Sequence, residues 1–224
     1  MRKTAAFLTL ILCIFLAGCF PASDIQSPTP ASASGPAEAS VPDNGGTVKN
    51  PQVTITMEDG GKIVVELYPD VAPNTVNNFI YIVEQGLLDG STFHRVSPSF
   101  MIQGGMPADG KELGYTIKGE FSSNGFENNL AHKKGVISMA RTTIKDSATT
   151  QFFLMTADSK SLDGDYAGFG MVIEGQDVVD RIGAAEWQAA YGDNITGKPA
   201  VDQVMASVTV DTFGVDYPEP EKLK

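Results

Sequence analysis

The chain has 224 residues, a formal charge of −11, 42% hydrophobic and 19% charged side chains. That length fits one generous domain or one domain with an appendage, and the apolar fraction excludes wholesale disorder. The negative balance argues against a nucleic-acid partner, which needs a basic face; two cysteines and two histidines, with no CxxC and no HExxH, argue against a zinc site.

The chain opens Met1-Arg2-Lys3-Thr4 and then runs apolar from Ala5 to Ala17, interrupted at Thr9. A basic start followed by an apolar stretch of about 7–15 residues has the form of a secretory signal, and it is shorter than the roughly 20 residues of a membrane span. It ends Leu16-Ala17-Gly18-Cys19, which resembles the lipobox of bacterial lipoproteins. The resemblance implies that residues 1–18 are a signal peptide and that Cys19 becomes the lipidated first residue. Two acyl chains give a stable anchor where one is marginal. The expected place is a cell membrane, lipid-anchored, on its extracellular or periplasmic side. Cleavage also removes Cys13, so no disulfide can form and the domain depends on its core. From Phe20 to about Asn50 the chain is mostly Pro, Ala, Ser and Gly. Such a stretch cannot bury enough apolar area to offset its ordering entropy, and its prolines stiffen it. Residues 19–50 are therefore expected to be a disordered spacer.

Periodic structure begins near Val53. Val53–Met57 alternates, Glu58-Asp59-Gly60-Gly61 turns, and Lys62–Tyr68 completes a hairpin. Val76, Phe79, Ile80 and Val83 then mark one face of a helix, with Pro73 in its first turn and Gly86 just past its end. Short apolar runs follow at Phe93–Val96, Phe100–Gln103, Val136–Ala140, Gln151–Thr156 and Phe169–Ile173. A second helix fits Gln176–Ile182 and a last alternating strand Gln203–Phe213. About eight short strands with two helices predict an all-β antiparallel barrel or sandwich, spanning residues 51–217, with 218–224 as a tail. An eight-stranded barrel is filled by its own side chains, so a site belongs on its outer surface.

The chemistry concentrates in Phe93-His94-Arg95 and Phe100-Met101-Ile102-Gln103-Gly104-Gly105. Arginine near Phe, Met and Gln describes an apolar pocket with two polar handles, the composition expected of a peptide or small-ligand groove. No nucleophile or carboxylate pair accompanies it. These residues resemble the signature of the cyclophilins, the peptidyl-prolyl cis-trans isomerases. A second block, Gly135–Ala140 with Ser147–Phe153, and a third, Leu162-Asp163-Gly164 with Phe169-Gly170, occur in the family's order; Met139-Ala140-Arg141-Thr142 is similar to its bacterial branch. The resemblance implies an eight-stranded barrel capped by two helices. It implies that Arg95 is catalytic, that Phe100, Met101, Phe153 and Leu162 line a proline pocket, and that Gln103 binds the substrate backbone beside Gln151. Ala140 and Arg141 would offer contacts along the groove. Tyr166 stands where many members have histidine and keeps an aromatic wall. Ser161 replaces the tryptophan of cyclosporin-binding members, which implies weak cyclosporin affinity.

The reaction implied needs no cofactor and no metal. Its partners would be proline-containing unfolded or extended polypeptides, handled by a monomer. The alternative is a tethered peptide-binding chaperone or adaptor with incidental isomerase activity. Two histidines remain: His94 is expected to point away from Arg95 into the core, and His132, beside Lys133 and Lys134, to be exposed and silent. Neither is expected to form a triad with Ser161 and Asp163, and Asp163-Gly164-Asp165 lacks the spacing of a calcium loop.

Overall fold

The computed structural model describes residues 49–224 except 112, 193 and 194; the signal segment, Cys19 and the spacer lie outside the described residues. Alternation builds the first hairpin. In β1 (Gln52–Met57) and β2 (Lys62–Leu67), Val53, Ile55, Met57, Ile63, Val65 and Leu67 are buried while their neighbours face outward. Helix α1 (Pro73–Glu84) buries Val76, Phe79, Ile80 and Val83. Its own residues supply no side-chain cap. Instead the Glu120 carboxylate, 3% exposed, accepts from the backbone N–H groups of Asn74 and Thr75 at 3.0 and 2.7 Å. A carboxylate at a helix N-terminus satisfies free donors and complements the dipole.

The chain continues through β3 (Arg95–Ser97), β4 (Met101–Gly104), β5 (Val136–Met139), β6 (Phe152–Met155), β7 (Gly168–Glu174), α2 (Gln176–Gly183), β8 (Trp187–Ala189), β9 (Gly197–Pro199) and β10 (Met205–Asp211). Among the described residues the antiparallel order is β10-β1-β2-β7-β5-β6-β4-β3-β9-β8. The ring closes just before β3 and β10: Thr92 bridges Val204, Phe93 donates to the Gln203 carbonyl at 2.9 Å, and Met205 donates to that of Ser91 at 2.8 Å. Eight strands thus form the expected barrel, with two helices. The β8–β9 hairpin stands outside it, on the edge of β3 at Val96 and Gly197. Sequence reasoning had no strand there, because the segment mixes apolar and polar residues without alternation and is interrupted by glycine and proline.

Phenylalanines fill the interior. Phe79 meets Phe152 edge-on at 5.2 Å and Phe169 at 5.1 Å, and Phe93 meets Phe152 at 5.9 Å. A smaller apolar cluster, Met101, Val136, Phe153 and Met155, lies apart from this core and gathers Phe100, Ala140, Leu162 and Tyr166 around it. Its origin is the strand period of two: in β4 and β6, Ile102, Phe152 and Leu154 point inward, so Met101, Phe153 and Met155 point outward.

His132 corrects the sequence expectation. It is 1% exposed, with Nδ1 3.1 Å from Asp163 Oδ1 and Nε2 3.0 Å from Ser138 Oγ. The adjacent lysines reach outward to Asp158 and Asp180, which is why the turn reads as polar. Asp163, His132 and Ser138 follow the order of a catalytic triad, but Ser138 is 0% exposed and meets no substrate. The network is structural. It ties β5 to the turn after Leu162, and the His132 ring stacks on Phe153 at 6.1 Å. His94 also departs from its expected place in the core. It is half-buried, and its Nδ1 has no partner among the described residues.

Burial holds both imidazoles below their ordinary 6.5, against the Asp163 carboxylate in the case of His132 and with help from the Arg95 charge in the case of His94. The unfolded chain therefore takes up protons at a pH where the folded chain does not. Their contribution to stability is present above about pH 6.5 and declines as pH falls below it. Melting temperature should drop between pH 7.5 and 5.5, and a His94→Gln/His132→Gln variant should show a flatter profile. A wild-type profile that is level or rises toward pH 5.5 would contradict this reading.

Candidate active site

The outward cluster encloses a slot of about 170 Å³ lined by Arg95, Phe100, Met101, Gln103, Ala140, Arg141, Phe153, Leu162 and Tyr166. Nine of the ten binding and catalytic positions read from the sequence meet there. The tenth, Gln151, sits in the next hollow and touches the slot through Gln103.

Three neighbouring strands supply the parts. Antiparallel register sets Arg95 of β3 opposite Gln103 of β4, and Gln103 opposite Phe153 of β6. Arg95 Nη1 donates to Gln103 Oε1 at 3.1 Å, and Gln103 Nε2 donates to Gln151 Oε1 at 2.9 Å. One end of the guanidinium is thereby fixed by a side chain that is itself fixed. Its Nε–H is buried without a partner among the described residues. An unmet donor on a charged group is costly in a resting protein and useful where a ligand will meet it. Both remaining walls are packed: Phe153 meets Tyr166 edge-on at 5.7 Å, and Leu162 ends the short 3₁₀ turn Lys160–Leu162, held from behind by Asp163 and His132.

Arg141 proves to be a wall and not a free hook. Nε and Nη2 donate to the Asp165 carbonyl at 3.0 and 2.8 Å, and Nη1 to that of Thr142 at 2.9 Å. Its guanidinium carbon lies over the rings of Tyr166 and Phe121, at 4.5 and 5.2 Å. Ala140 shares the rim, with its N–H donated to the Gln151 carbonyl at 2.9 Å.

Gly105 explains the doubled glycine after Gln103. It adopts φ +86°, and a Cβ there would lie 2.5 Å from the Thr150 carbonyl and 2.9 Å from the Phe152 ring. Only glycine lets β4 leave the barrel past β6 without displacing Gln151.

Beyond Gln103 the slot opens into a hollow of about 550 Å³ bounded by Met106, Pro107, Leu113, Tyr115, Thr149 and Gln151. Sequence reasoning assigned nothing to the Pro107–Tyr115 loop, whose Gly, Lys and Asp content gives no periodic signal. Its placement follows from closure of the tail: Thr116 pairs with Leu223, and the ammonium of Lys222 lies over the rings of Tyr81 and Tyr115.

Together these groups can grip an apolar ring, present hydrogen bonds to an extended backbone and hold one cationic donor at the slot's edge. Nothing in the slot is placed to attack a bond or move a proton.

Residues 52–210 match the family described as "Cyclophilin type peptidyl-prolyl cis-trans isomerase/CLD". A peptidyl-prolyl cis-trans isomerase of Acinetobacter baylyi is 45% identical over 54% of this chain and 66% of its own length. Peptidyl-prolyl cis-trans isomerase B of Escherichia coli is 38% identical over 67% of this chain and 94% of its own. The crystal structure of a Cryptosporidium parvum cyclophilin-type isomerase, determined in the presence of the dipeptide Ala-Pro, superposes with a TM-score of 0.61 at 22% identity, covering 71% of this chain and 98% of that one; it shares the fold. A barrel of this order, a slot on its outer face and a sequence match over most of the described residues agree: the chain belongs to the cyclophilin family and is an enzyme of the peptidyl-prolyl cis-trans isomerase class.

Proposed function

We propose that this isomerase acts on X-Pro bonds of secreted or cell-envelope polypeptides, without covalent intermediate or cofactor, from a lipid anchor on Cys19. The observation that carries the catalytic part is Arg95: its guanidinium is pinned at one nitrogen by Gln103, borders an apolar slot and keeps Nε–H unmet. The related crystal obtained with Ala-Pro supports a proline peptide as the ligand class.

The barrier to be lowered is rotation about a conjugated amide, about 20 kcal/mol, and uncatalysed exchange takes tens to hundreds of seconds. In the twisted state conjugation is lost and the proline nitrogen regains a lone pair. A donor held beside that nitrogen binds the twisted state and gains little from the planar one, which is the condition for catalysis. Arginine suits the role because it stays charged and its donors share a rigid plane. Phe100, Met101, Phe153 and Leu162 would hold the ring while the preceding residue turns, and Gln103 would hold the backbone. The slot's apolar walls also displace water, which strengthens a charge acting across it.

Arg95→Ala should lower turnover on an X-Pro peptide by about 10²–10³-fold, the scale of losing one preorganised donor. Arg95→Lys should recover little, since an ammonium has one nitrogen and lacks the rigid planar fork that can meet Gln103 and the prolyl nitrogen through separate atoms. Wild-type rates in Arg95→Ala, measured by a protease-coupled or NMR exchange assay, would refute the assignment.

The location and the envelope substrates rest on the Leu16-Ala17-Gly18-Cys19 motif and the spacer that follows. Intact-mass analysis of the protein from native membranes should give an amino terminus at Cys19 carrying a diacylglycerol; an unmodified Cys19 would refute the anchor.

A further inference from the structure

Arg95 has a second neighbour that none of the sequence blocks contains. The ring of Tyr191 lies with its centroid 5.5 Å from the guanidinium carbon, and its hydroxyl donates to the carbonyl of His94, the residue before Arg95, at 3.0 Å. Tyr191 is 46% exposed, so hydrophobic burial does not account for its position. It belongs to the segment joining β8 to β9, the hairpin that lies outside the barrel.

That hairpin is seated firmly. Trp187 is packed against the main core, Gly197 pairs with Val96, and a Cβ at Gly197 would lie 2.1 Å from the Gln188 carbonyl and 2.3 Å from the Trp187 ring. On the other side of Arg95, Ser97 Oγ donates to the Ile195 carbonyl at 3.4 Å. Tyr191 is thus tied to the His94 carbonyl and Ile195 to the Ser97 hydroxyl, one on each side of Arg95, and the Tyr191 ring is turned onto the guanidinium.

We infer that Tyr191 is a positioning residue for isomerisation: it fixes the plane of the Arg95 guanidinium. This inference rests on the reading of Arg95 as the group that meets the prolyl nitrogen. Gln103 holds Nη1 and so constrains one point of a flat group on a flexible stem. A single hydrogen bond leaves rotation about that point free. An aromatic face attracts a cation and favours a defined approach to its plane, which removes the remaining freedom. With both in place, Nε–H stays directed while nothing among the described residues consumes it. Because the orientation matters only when the nitrogen turns pyramidal, the effect belongs to kcat and not to KM.

The test uses the whole chain with Tyr191→Leu and Tyr191→Phe, each alone and combined with Arg95→Ala. Tyr191→Leu should lower kcat by about 2–5-fold with KM nearly unchanged, the scale of one exposed cation–π contact. Tyr191→Phe keeps the ring and should keep most of the activity. In the Arg95→Ala background, Tyr191→Leu should cost nothing further, a coupling that general damage to the hairpin would not produce. The Arg95 Nε–H proton resonance should shift downfield in Tyr191→Leu as the ring's shielding is lost, which reads the contact independently of turnover. Full kcat in Tyr191→Leu, or an equal loss with and without Arg95, would overturn this inference alone. Wild-type turnover in Arg95→Ala would overturn the reading beneath it as well.

Discussion

The packing of Phe79, Phe93, Phe152 and Phe169 inside the barrel determines where every functional group can lie. With the interior full, the chain has only its outer face to work with, and the strand period of two supplies that face automatically. Each inward residue of β4 and β6 obliges its neighbour to point out. The same alternation that places Ile102 and Phe152 in the core therefore places Met101 and Phe153 in the slot. Fold and site are two sides of one set of strands, so the apolar walls need no separate scaffold.

The polar part of the site depends on a different device, the serial fixing of side chains. Arg95 is held by Gln103, which is held by Gln151, whose backbone position depends on a glycine at 105 that no side chain could replace. On the opposite wall, Phe153 and Leu162 share His132 and Asp163 as backing. A guanidinium in such a frame is anchored at one nitrogen before a ligand arrives, and the cost of that anchoring belongs to folding. Arg141 shows the contrast. All its donors that bond go to backbone carbonyls and it packs over two rings, so it builds a wall and has little left to offer a ligand.

What the sequence disclosed, and what it concealed, follows from the range of the interactions concerned. Alternation in Val53–Met57 and the helical spacing of Val76, Phe79, Ile80 and Val83 are local, and the elements appear where the pattern places them. The slot residues lie in dense motif blocks and come together as expected. The Glu120 cap is invisible beforehand because donor and acceptor are 45 residues apart. His132 is hidden for another reason: its neighbours Lys133 and Lys134 describe the outside of the turn, and the ring faces in. The β8–β9 hairpin has neither alternation nor a long apolar run, and Tyr191 sits within it between Ala190 and Gly192 with no motif around it. Only closure of the barrel, which brings the segment beside β3, gives that tyrosine a partner.

The account as a whole requires a cationic donor to stand beside the nitrogen that rotates. A crystal structure of this chain with a bound proline-containing peptide examines that requirement most directly. The pyrrolidine ring should lie among Phe100, Met101, Phe153 and Leu162, with a donor of Arg95 within hydrogen-bonding reach of the prolyl nitrogen. A ring seated elsewhere, or a guanidinium turned away from that nitrogen with the ring in the slot, would contradict it.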